Sequence, residues 1–165
     1  TVEGELLPMA AELGMGVTPW SPLKGGVLSG KYRKGNTPEG ARQKPDSKHL
    51  SDAAYAVVDA LDAIAKARGC TVAQAALAWV RQQPGVTSTI IGARSTDQLD
   101  ANIASLGIAL TAEDLARLDA LSRPTLNFPH EFLESVHSGI QNGTTVNGIR
   151  GDPWKGGPQS DDERW

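Results

Sequence analysis

A single cysteine, Cys70, stands in 165 residues. No intrachain disulfide can form, and the chain fits a reducing, cytoplasmic compartment. Long apolar runs are missing too, since nothing approaches the roughly 18 residues that a membrane-crossing helix requires. Neither sign of charge dominates. Sixteen Lys and Arg against 19 Asp and Glu leave a net charge of −3, a balance that points to no nucleic acid and no membrane surface as a partner. No signal peptide is recognisable, and the chain opens on Thr1 rather than methionine, with Thr1–Leu13 reading directly as the start of a helix. There is no internal repeat, no heptad register and no metal site. As a prior, the length is that of one domain.

What the chain does have is clear helical and β-branched spacing. Leu6, Leu7, Met9, Ala10 and Leu13 recur on one face of a helix over Gly4–Leu13 that stops at Gly14. A strand over Gly16–Trp20 follows, and Trp20-Ser21-Pro22 ends it, because proline cannot donate to a ladder. Ser21 to Leu50 is a long polar loop, a length that in compact domains goes with function or disorder. Ser51 caps a helix with Val57, Val58, Leu61, Ile64 and Ala65 on one stripe, closing near Gly69. Thr71 and Gln74 form a capping box for a helix carrying Val72, Ala75, Ala76, Trp79 and Val80, ended by Pro84-Gly85. Thr87–Ile91, β-branched apart from Ser88, predicts a second buried strand. Ser95 to Gln98 reads as another capping box, with Leu99, Ile103 and Leu106 inward. Thr111 caps a last helix with Leu115, Leu118 and Leu121 on one side. Beyond Ser122 the periodicity fades. Glycines punctuate about Gly139–Trp165, which reads as a mobile or loosely attached tail with an acidic end at Asp161-Asp162-Glu163.

The order helix, strand, loop, two helices, strand, helix, helix is an α/β pattern with parallel strands. It carries a physical difficulty. Parallel strands are covered on both faces within larger sheets, and two strands with four amphipathic helices leave apolar faces with nothing to meet. The chain therefore looks like part of a barrel or sheet whose other strands are absent.

Two strand ends bear ligand-type residues. At the first, Trp20 suits stacking on a flat ring, and Gly25, Gly26 and Gly30 with Lys24 and Lys31 suit an anion such as a nucleotide diphosphate. At the second, Arg94 precedes a helix N-terminus, whose amides and dipole favour an anion, and Gln98 and Asn102 fall at i, i+4 on one face. Each residue has a plainer reading as well. Trp20 serves equally as core, Lys24 and Lys31 as solvated charges, Gln98 as a cap and Asn102 as a surface residue. Together, at the same end of consecutive strands, they favour a dinucleotide.

The blocks Thr18-Pro19-Trp20-Ser21-Pro22-Leu23 with Gly30-Lys31-Tyr32, Thr71 to Trp79, and Ile90 to Ser95 with Gln98-Leu99 and Asn102 resemble the aldo-keto reductase family, in its bacterial and potassium-channel-β-like branches. The resemblance covers about Thr1–Ser122 and, more weakly, Phe128–Leu133. It implies that residues 1–122 are the C-terminal part of a (β/α)8 TIM barrel, strands seven and eight with their helices, an incomplete barrel followed by a C-terminal extension over 123–165. It implies NADP(H) as cofactor, with Trp20 on the nicotinamide, with Ser21, Pro22, Leu23, Lys24 and Gly25 in the loop around the pyrophosphate, and with Lys31 as a phosphate-contacting lysine. Gly92, Arg94 and Gln98 match positions around the adenosine 2′-phosphate and Asn102 the adenine contact, while Arg42 corresponds loosely to another phosphate-facing arginine. Ala101 departs from the family in standing where an acidic residue often braces the adenosine. The family's catalytic Asp, Tyr, Lys and His lie on earlier strands, in a missing N-terminal barrel half. Tyr32, Tyr55, His49, His130 and His137 stand outside any matching motif. What the resemblance implies is thus an NADPH-dependent reductase of small aldehydes or ketones that is inactive as this fragment, with a cofactor-binding channel β-subunit-like protein or a non-functional truncation as alternatives.

Overall fold

The computed structural model describes residues 2–146, 148–158, 160 and 162, and they fall into two compact units, Val2–Pro124 and the residues from Thr125 onward. Thr1, Asp161, Glu163 and Trp165, which bound three of the expected segments, lie outside the described residues.

In the first unit a wide helical turn over Val2–Leu6 runs into α1 (Leu7–Glu12), with Pro8 in its first turn, where proline's fixed φ suits a helix. Three further helices are closed at their starts by the side chains the sequence points to. Ser51 Oγ accepts the Ala54 N–H at the start of α2 (Asp52–Arg68). Thr71 and Gln74 cap each other's backbone amides at α3 (Val72–Arg81), and Thr111 and Asp114 do the same further along at α5 (Ala112–Ser122). The cap of α4 (Thr96–Ala104) is half of the expected box. Ser95 Oγ accepts from the Gln98 N–H, but the Gln98 side chain accepts the Arg94 N–H at 3.0 Å instead of that of Ser95.

The core lies where α2 crosses α3 and α5. Val57, Val58, Leu61 and Ile64 of α2 meet Ala75, Ala76 and Ala78 of α3, Leu118 of α5, and Val27 and Leu28 of the long loop. Alanine along α3 lets its axis approach α2 closely, and each buried leucine contributes about 1.5–3 kcal/mol. A clip holds the rim, where Arg68 at the end of α2 pairs with Asp114 and also reaches Thr111 Oγ1 at 3.2 Å. Within the loop a 3₁₀ segment, Lys24–Ser29, ends at Gly30.

The two expected strands are corrected in form. Gly16–Trp20 and Thr87–Ile91 run parallel, but they touch only as isolated bridges, Val17 with Val86 and Trp20 with Ile90. Pro19 sits in the middle of the first segment. It accepts from the Ile90 N–H at 2.9 Å and has no N–H to give, and the Val17 N–H goes to the Thr87 side chain. No barrel is present among the described residues, which are mostly helical. The inward placement of Leu99, Ile103 and Leu106 is also corrected, since Ile103 is 50% and Leu106 65% exposed. Leu121 is exposed as well, while Leu118 beside it is fully buried. Periodicity defines these apolar faces, but no described residue covers them.

The second unit carries more order than its glycines suggest. Helix α6 (His130–Gln141) passes through Gly139, and β1 (Thr145–Val146) pairs antiparallel with β2 (Ile149–Arg150). Phe128 and Phe132 pack with ring centres 6.0 Å apart, ahead of and within α6. Among the described residues no helix is long and apolar enough to cross a membrane.

Candidate functional site

The end of the parallel pair opens on a turn that only an unusual backbone can make. Ser21 and Lys24 take φ of 56° and 50°, and Gly25 and Gly26 take 65° and 92°. Short bonds hold the turn, with the Lys24 N–H donating to Ser21 O and the Gly26 N–H to Leu23 O, both at 2.9 Å. A left-handed conformation costs an L-residue about 1–2 kcal/mol, so strain collected at Ser21 and Lys24 marks a backbone shaped for more than chain reversal. At Gly25 a Cβ would lie 2.6 Å from the amide nitrogen of the Gln43 side chain, which itself donates to the Gly25 carbonyl.

This turn, the segment Ile91–Arg94, the start of α4 and one face of α3 enclose a cavity of about 750 Å³, within the size range of ligand sites. The residues singled out in the sequence line it except Trp20, Lys24 and Gly30, and Arg42 lines it too. Trp20 stands 80% exposed beside it. Sequence reasoning gave no site role to Ser29, Gly40, Ala73, Leu77, Ile91 and Ala93. Of these, Ala73 and Leu77 left a trace as a small and an apolar residue at i, i+4 on α3, and Ile91 and Ala93 as the neighbours of Gly92.

Charge is the clearest property of this cavity. Lys31, Arg42 and Arg94 line it, and among the described residues no aspartate or glutamate does. None of the three cations forms an ion pair with a described residue. The cations that do form ion pairs, Arg33, Lys34, Lys66 and Arg68, do not line the cavity. The start of α4 adds the positive end of a helix dipole. Asn102 Nδ2 reaches the Gly92 carbonyl at 3.5 Å, and Gln74 of α3 donates to the Ala101 carbonyl at 3.0 Å, tying α4 to its neighbours. No tyrosine or histidine lines this cavity. His130 and His137 line a smaller groove on α6, in the second unit.

The Aldo/keto reductase family model matches residues 1–123. The chain belongs to the aldo/keto reductase family. Among its relatives is a probable voltage-gated potassium channel subunit beta of Oryza sativa subsp. japonica, 38% identical over 128 residues, which are 73% of this chain and 39% of the relative. The oxidoreductase YrpG of Bacillus subtilis (strain 168) is 38% identical over 72% of this chain and 36% of its own length. An aryl-alcohol dehydrogenase of Pestalotiopsis microspora is 34% identical over 80% of this chain and 33% of its own. The chain thus spans 33–39% of these aldo/keto reductase relatives. The cavity lies wholly within the stretch that the family model matches.

Proposed function

We propose that this chain supplies the dinucleotide-binding part of an aldo/keto reductase site, and that the complete protein is an oxidoreductase reducing an aldehyde or ketone to an alcohol in a reducing, cytoplasmic setting. The observation that carries this reading is the convergence of Lys31, Arg42 and Arg94, none in an ion pair with a described residue, on a cavity lined by no described carboxylate. That donor set fits NADP(H), whose three phosphates need cations and amides. Arg94 with Gln98 and Gly92 would hold the 2′-phosphate, since a guanidinium fork matches a phosphate monoester. Lys31 and the turn Ser21–Gly25 would hold the pyrophosphate, Asn102 the adenine, and exposed Trp20 the nicotinamide face. When bound, the cofactor supplies hydride, while this chain's residues bind and orient it.

The proton donor must come from elsewhere. Tyr32 is fully buried with its hydroxyl engaged by Gln43, and neither Tyr55 nor His49, the other tyrosine and the histidine of the first unit, lines the cavity. We place the catalytic Asp, Tyr, Lys and His on barrel strands supplied by the remainder of the aldo/keto reductase fold. The same elements would cover Ile90, Ile91, Leu99, Ile103 and Leu106, all exposed here.

Calorimetric titration of the chain with NADP+ and NAD+ tests the reading. NADP+ is expected to bind more tightly. Arg94→Gln should weaken NADP+ about tenfold to a hundredfold, the equivalent of one charged hydrogen bond, and NAD+ by less than about twofold. Equal losses for both would remove the 2′-phosphate assignment, and no binding of either would remove the cofactor. If the complete protein binds NADPH but turns over no aldehyde or ketone, it is a cofactor-binding subunit rather than an enzyme.

A further inference from the structure

Two of the three cations adjoin one buried side chain. Tyr32 has no exposed surface. The Lys31 ammonium lies over its ring, 5.2 Å from the centroid, where the negative face of the ring attracts a cation. On the other side the Tyr32 hydroxyl accepts the backbone N–H of Gln43, next to Arg42, at 3.0 Å. Gln43 is itself tied on both sides, donating to the Gly25 carbonyl at 3.3 Å and accepting from Ser47 Oγ at 2.8 Å. The stretch carrying Arg42 is otherwise free of regular structure. Without such ties, a loop of this length would lose much of its Arg42 binding energy to ordering.

We propose that Tyr32 is a positioning residue that aims two cations at a polyphosphate in the cavity: Lys31 by the face of its ring, and Arg42 by the Gln43 backbone that its hydroxyl holds. The inference rests on reading the cavity as an anion site. A half-buried backbone N–H needs an acceptor, and a phenol supplies both that acceptor and the cation-binding face. Phenylalanine keeps the face and loses the acceptor, so the two functions separate in a single variant.

Inorganic pyrophosphate is titrated calorimetrically into the 165-residue chain and into Tyr32→Phe, Arg42→Ala, Lys31→Ala and the double variants. Tyr32→Phe should weaken binding about threefold to tenfold. In the Arg42→Ala background it should add less than about twofold, because the group it aims is gone, while in the Lys31→Ala background its full effect should persist. An unchanged affinity in Tyr32→Phe, or an undiminished effect in Arg42→Ala, would overturn the proposal. Gln43→Ala keeps the N–H that Tyr32 holds and removes the side-chain ties to Gly25 and Ser47, which fix the same segment, so its effect should likewise depend on Arg42. Amide exchange at Gln43 in the unliganded chain separates this inference from the cofactor reading. Faster exchange in Tyr32→Phe, in a chain that takes up pyrophosphate but not NADP+, supports the role of Tyr32 and defeats the cofactor. Unaltered exchange overturns the tether and leaves the cofactor reading standing.

Discussion

Gly30→Ala adds one carbon at the point where the cation-bearing loop meets α3, and the structure sets its cost from two sides. Gly30 has φ +82°, and a Cβ there would fall 2.8 Å from Val72 Cβ and 2.9 Å from Val72 Cγ2. The left-handed backbone alone costs an alanine about 1–2 kcal/mol. The overlap comes on top of that. Val72 is β-branched at the first position of α3, its rotamer is stiff and its Cβ is fixed to the helix, so relief requires backbone movement, an overpacking cost of about 1–3 kcal/mol. Together they predict a loss of about 2–5 kcal/mol against the roughly 5–15 kcal/mol of an ordinary domain. Urea unfolding followed by far-ultraviolet circular dichroism should show the midpoint falling at unchanged slope. In a Val72→Gly background the overlap disappears, and Gly30→Ala should cost only the backbone part. A loss below about 1 kcal/mol, or the same loss in both backgrounds, refutes the contact.

The Arg68–Asp114 clip makes stability depend on pH. Burial pushes the Asp114 carboxyl up, but the Thr111 N–H and hydroxyl and the Arg68 guanidinium outweigh it and hold it below the ordinary aspartate range. Its contribution is therefore full above about pH 4 and lost as pH falls through the lowered value. Asp114→Asn should cost about 1–2 kcal/mol at pH 7, with the gap to the parent closing in acid. A gap that stays constant down to about pH 2 would contradict this. Burial also raises the Cys70 thiol, with Arg68 pulling only weakly the other way. At pH 7.5 a disulfide reagent should modify it at least about threefold more slowly than a free cysteine peptide, and equal rates in the folded chain would show that the thiol is not shielded.

Helix starts were legible because a cap is a local event. Ser51 with Ala54, Thr71 with Gln74 and Thr111 with Asp114 each close within one turn, so type and spacing suffice. Even there a near tie escapes, since Gln98 chooses the amide of Arg94 over that of Ser95, two acceptable donors one residue apart. Strand propensity was also read correctly as direction and pairing partner but not as extent, because the gap that Pro19 leaves shows only when its neighbour is known. Helix α6 was hidden by treating Gly139 as a breaker, although Phe132, Leu133, Val136 and Ile140 keep helical spacing through it. The exposure of Leu99, Ile103 and Leu106 is a different kind of miss. A 3.6-residue period announces an apolar face and is silent on what covers it.

For the site, residue types gave the candidates and three dimensions gave the selection. Lys31 and Lys34 lie three residues apart in one polar loop and carry the same charge. Lys34 reaches Asp52 at 2.8 Å and is spent on an exposed ion pair, worth little to stability, whereas Lys31 is turned by the ring of Tyr32 to the cavity. Arg33 between them is taken by Asp62 and by the carbonyls of Gly30 and Tyr32. No local pattern distinguishes these three cations, because what separates them is the position of carboxylates far along the chain. An anion site is defined as much by the acids kept away from it as by the bases it contains. That exclusion exists only once the chain has folded, with Asp52 and Asp62 of α2 paired to Lys34 and Arg33 and neither lining the cavity.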